Sequence, residues 1–103
     1  MTPDRAREIL ISAIDHAAYR ETDSSLYDAD KNRLFGSEHY QSSRPIYKPS
    51  PWSGDDFEGK MAQPLAWSNT LNRNSNEFLH AIQLLESEDS VLGRIIRRAK
   101  AHQ

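Results

Sequence analysis

Asp28, Asp30 and Asn32 alternate within YDADKNRLFGSEH, residues 27–39, in the manner of a calcium loop. An EF-hand loop starting at Asp28 would use these three as ligands and place Phe35 at its apolar eighth position. The sixth position needs glycine for a sharp turn and holds Arg33. The twelfth needs a bidentate glutamate and holds His39, with Glu38 one place early. Calcium binding is therefore not expected. The stretch reads as a polar turn or short helix capped by Asp28 or Asp30.

Other chemistry-bearing sets fall short in similar ways. The histidines are His16, His39, His80 and His102, and none forms an HxxxH pair. Glu77 and His80 have the Glu-x-x-His spacing of di-iron bundles, but such a site needs a second copy and two further glutamates. Neither G-x-S-x-G nor a glycine-rich phosphate loop occurs. GDDFEG sets Asp55, Asp56 and Glu58 close together, but in a loop without the rigid frame that acid–base work requires. The chain has no cysteine, which excludes disulfides, thiolate nucleophiles and thiolate-bound zinc. Neither an enzyme nor a bound metal or cofactor is expected.

Two sets point to binding. The tail GRIIRRAKAHQ carries Arg94, Arg97, Arg98 and Lys100, a cluster suited to an anionic ligand or to nucleic-acid phosphates. The acidic ESED just upstream and a net charge of −2 oppose that reading, and cations also favour helix C-termini for their own sake. The second set is aromatic: Tyr40, Tyr47, Trp52, Phe57 and Trp67, interleaved with prolines. Large rings on a pre-extended backbone suit a protein partner's surface. The alternative is that they complete this chain's own core.

The elements that must position these residues form one domain over the 103 residues. Thr2, Pro3 and Asp4 start a helix. Ala6, Leu10, Ala13, Ile14 and Ala17 give it an apolar stripe, and it is expected over 2–20. Residues 21–67 hold four of the five prolines and seven of the nine aromatics, without a sustained period. They read as a long irregular arm, with a short helix in SLYDADKNRLFG as an option. From Leu71 onward, Phe78, Ile82, Leu85, Leu92, Ile96 and Ala99 step by threes and fours once Ser75 and Asp89 are counted. That is a heptad seam, opened by a capping spacing at Asn74 and Glu77. Its unbroken phase favours a single helix over 74–101, about 42 Å long. The weak helix formers Ser87, Asp89, Ser90 and Gly93 favour a helix pair over 71–101 instead.

The expected fold is mainly α: two principal antiparallel amphipathic helices joined by the aromatic, proline-rich arm. With 37% apolar residues and a mean hydropathy of −0.79 the core is thin, so a homo-oligomer joined through the seam is expected. The charged N-terminal segment lacks the apolar run of a secretory signal, and no stretch is long enough to span a membrane. The sum is a small cytoplasmic binding protein acting on a partner protein as adaptor, inhibitor or regulator. The alternatives are a nucleic-acid accessory protein and an oligomeric binder of a small anion.

Overall fold

A computed structural model describes residues 1–35, 51–52, 56–67 and 76–101. Most of these residues are helical, and none of them lies in a strand. The protein is mainly helical.

Helix α1 runs Pro3–Thr22. The Thr2 hydroxyl accepts the Arg5 N–H at 3.2 Å, and Pro3 occupies the first position, where a missing N–H costs nothing. Asp23, in the left-handed region at φ 62°, ends the helix by donating its N–H to the Tyr19 carbonyl at 2.8 Å. Seven residues of α1 are buried, four of them alanines, so other helices can approach its axis closely. It packs against α2 (Asp28–Phe35), α3 (Phe57–Trp67) and α4 (Asn76–Glu86). Helix α5 (Val91–Ala101) lies against α2, α3 and α4 and completes the core. Leu10, Ile14, Leu34, Met61, Leu65, Leu85, Leu92, Ile95 and Ile96 are its fully buried large side chains.

Two expectations change here. The first is the single helix over 74–101. The chain reverses at residues 87–90, giving α4 and α5. Glu88 N–H donates to the Leu85 carbonyl at 3.0 Å, and Ser90 N–H donates to the Glu88 carbonyl at 3.0 Å. Ser90 then caps α5, its hydroxyl accepting the Gly93 N–H at 3.1 Å. Gly93 is needed at this point: a Cβ there would run into the Glu88 carbonyl and sit 2.9 Å from that of Leu85. The longest dimension of the fold, 38 Å, is less than the about 42 Å of one straight helix. The seam positions Phe78, Ile82, Leu85, Leu92, Ile96 and Ala99 are all buried, but in this chain's own core. They are therefore not exposed for pairing with a second copy.

The second change is in the arm, which contains α3 besides the short helix α2 that SLYDADKNRLFG allowed. Phe57, Met61 and Leu65 form an i, i+4, i+8 stripe, with Ala62 and Ala66 beside it, all buried. Gly59 and Pro64 interrupt the local helix signal, and burial of that stripe overrides them. The segments 36–50 and 68–75, with Tyr40, Tyr47, Leu71, Asn74 and Ser75, lie outside the described residues. Among the described residues, no helix is long and apolar enough to cross a membrane.

Candidate functional site

The basic tail is held by carboxylates and carbonyls of the same chain. Arg94 Nε donates to Glu58 Oε1 at 2.8 Å, and its Nη1 lies 3.5 Å from Asp89 Oδ1. Arg98 engages Asp56 with both terminal nitrogens, at 2.8 and 3.2 Å. Arg97 donates to the carbonyls of Glu86, the last residue of α4, and of Glu88 just past it, and Lys100 Nζ reaches Glu86 Oε1 at 2.7 Å. The hydrogen bond from Arg98 holds the Asp56 carboxyl below its usual range. The same bond raises Arg98, and the bond to Glu58 raises Arg94. A phosphate entering here would compete with carboxylates already in place.

Those acids come from GDDFEG. Asp56 has φ 58° and precedes α3; its carboxylate takes the Gly59 N–H as well as Arg98. A Cβ on Gly59 would strike that carboxylate and come within 2.7 Å of Arg98 Nη2. Asp55 lies outside the described residues. Asp56 and Glu58 therefore fasten α3 to α5.

The stretch from Asp28 to Phe35 is helix α2. At 100° per residue, Asp28 and Asp30 point to different sides and do not converge on a cation. Asp30 is only 2% exposed, and its Oδ2 accepts the Tyr27 N–H at 2.9 Å. It thus plays the reciprocal part of a capping box, the third helical residue closing back on the cap. Arg33 stacks on the Phe57 ring at 4.0 Å. Glu77 binds Arg5 at 3.1 Å, and both Glu77 and His80 are exposed. Among the described residues no three His, Asp or Glu side chains are grouped to hold a metal.

Of the aromatic set, Trp52 and Phe57 are 7% and 3% exposed and belong to the core. Burial in the chain's own core is one of the two roles weighed for them above. Trp67 closes α3, and Tyr40 and Tyr47 fall outside the described residues.

A different surface is concave. On α1, Arg5, Glu8, Ser12, His16 and Tyr19 follow one another at three- and four-residue steps and are all exposed. With the start of α4, the first four of them border a groove of about 420 Å³. Its floor is Ile9, Ala13 and Phe78. Its rim at one end is Arg5, held between Glu8 at 3.4 Å and Glu77 at 3.1 Å. Past Ser12 and His16 a second hollow of about 310 Å³ continues to Tyr19 and Ser25. Asp15 in its wall accepts the Leu26 N–H at 2.8 Å, and Tyr19 is 52% exposed. The reading of α1 from its apolar stripe missed this. The available signal was the polar stripe on its other side.

No protein-family model, curated protein or solved structure matches this chain.

Proposed function

We propose that this is a small cytoplasmic, non-enzymatic binding protein that acts by occupying the surface of a partner protein, as an adaptor, inhibitor or regulator. The observation behind this reading is the groove along α1, with its apolar floor, fastened rim and exposed tyrosine at one end. A ring such as Tyr19 buries large area at low entropic cost. At the rim Arg5 lies between two exposed carboxylates, Glu8 and Glu77, so polar groups border the apolar floor. No comparable observation favours nucleic acid or a small anion, because Arg94, Arg97, Arg98 and Lys100 are engaged within the chain.

Site-specific photo-crosslinking tests the reading. A crosslinking residue at Ser12, in the groove, is expected to capture a discrete protein from native extract, and Tyr19→Ala should abolish the capture. The same residue at Gln63, exposed on α3, serves as the control. Equal capture from both positions, or capture indifferent to Tyr19→Ala, would overturn it.

A further inference from the structure

The groove along α1 has a sign. Arg5 is the one arginine or lysine that lines it, and two carboxylates draw on that guanidinium. Nη1 lies 3.4 Å from Glu8 Oε2, and Nη2 donates to Glu77 Oε1 at 3.1 Å. Each carboxylate gives one oxygen to Arg5. Glu8 Oε1 and Glu77 Oε2 take no donor from the described residues, and the two side chains are 60% and 54% exposed. The side chains of Ser12 and His16, which line both hollows, make no hydrogen bond among the described residues either. In the second hollow Asp15 adds a third carboxylate, with Lys31 no nearer than 3.9 Å. The lining of the two hollows thus holds one positive and three negative side chains. On α5 the cations are engaged by acids and carbonyls of the chain; here it is acceptor oxygens that are left over.

We infer that the partner segment received by this groove carries a lysine or arginine, whose aliphatic stem lies along Ile9 and whose charged head reaches the open oxygens of Glu8 and Glu77. The inference rests on the reading of the groove as a docking surface. The floor favours a stem over a bulky ring: Phe78 and Ala13 are 3% and 5% exposed, and only the half-buried Ile9 has apolar area to give. Lysine and arginine suit such a narrow strip, because their methylene chains cover apolar surface while the head stays among polar groups. A carboxylate accepts an ammonium or guanidinium in a short, charge-assisted hydrogen bond. The Arg5 charge is already shared by two carboxylates, so the incoming cation meets a rim that is negative on balance. An acidic segment would meet like charge along the whole groove and be turned away.

Trilysine is the probe, with triglutamate as its counterpart, and backbone amide shifts of the whole protein are the readout. Trilysine should give saturable shifts centred on Glu8, Ser12, His16 and Glu77, and triglutamate should give none there. Glu8→Gln and Glu77→Gln together should raise the trilysine dissociation constant about fivefold or more, as expected for two exposed ion pairs. Both side chains are exposed, so the thermal midpoint should hold, which separates lost binding from lost folding. Trilysine shifts spread evenly over other exposed acids such as Glu21 and Asp28, or an affinity indifferent to the two substitutions, would overturn the inference. The crosslinker at Ser12 separates it from the wider reading. Capture undiminished in the doubly substituted protein would sink the cationic contact and leave the docking surface standing. Local trilysine binding without any capture would uphold the cationic contact and sink the docking surface.

Discussion

Helices α4 and α5 have the same length, eleven residues, and pack against each other, yet their outer surfaces differ completely. The outer side of α5 holds Arg94, Arg97, Arg98 and Lys100, and every one of them is bound to an acid or a carbonyl of this chain. The outer side of α4 between Leu79 and Leu84 has no acidic or basic pairs, but two half-open leucines. The charged surface looks like the binding surface, yet its charges position helices. They fasten α3 and the end of α4 to α5. Charge content by itself is thus a poor guide to a partner. What matters is whether the charge already has one.

The largest expected effect sharpens the contrast between the two sides of α4. Ile82→Glu places a carboxylate where the side chain is 4% exposed. Removing the apolar group alone costs about 2–5 kcal/mol, and burying the charge adds to that. Against the roughly 5–15 kcal/mol that holds a small domain together, the variant should unfold rather than become a well-folded monomer. Gln83→Glu, one residue on and exposed, should change stability by less than about 0.5 kcal/mol. Urea denaturation followed by circular dichroism checks both. A folded Ile82→Glu protein would mean that the seam is not core.

Next in size is Trp52→Ala. The ring is buried in the core, so its truncation should cost about 3–5 kcal/mol, read as a lower denaturant midpoint. Tyr19→Ala on the open face of α1 should leave that midpoint almost unmoved. Equal losses from the two would erase the distinction between core ring and surface ring.

Gly93→Ala probes the reversal that makes α4 and α5 two helices. Helix propensity alone favours alanine by about 1 kcal/mol. The new methyl would collide with the Glu88 and Leu85 carbonyls, an overpacking that costs about 1–3 kcal/mol. A net loss of thermal stability is expected. A gain would mean that the turn can relax into a longer helix.

The smallest effect tests the fastening on α5. Asp56→Asn keeps a side chain that caps helices and tolerates positive φ but removes the ion pair with Arg98. The pair is exposed, so a small loss at neutral pH is expected, shrinking further at high salt. The folded-state pKa of Asp56 is depressed by Arg98. Its stabilisation is therefore complete above the unfolded carboxyl value of about 3.9 and disappears as pH falls through the lower folded value. Thermal melts of the two proteins should differ at pH 7 and converge in strong acid. A constant gap across that range would assign the effect to the cap instead.

Local residue order determined α1, because Thr2, Pro3 and Asp4 act within one turn and the stripe through Leu10 and Ile14 runs long enough to show its period. It also determined that Phe78, Ile82, Leu85, Leu92 and Ile96 would be buried, since spacing reveals an apolar face whatever covers it. The tertiary structure decided what covers that face. A four-residue turn at 87–90 leaves the count of residues in phase while reversing the chain, so a seam that fits a second copy closes on its own helices. The short helices α2 and α3 depend on the same step. Eight and eleven residues, one set broken by Gly59 and Pro64, are marginal as isolated helices. They form because Leu34, Phe57, Met61 and Leu65 find α1 and α5 to bury against, a gain that no stretch of sequence contains by itself.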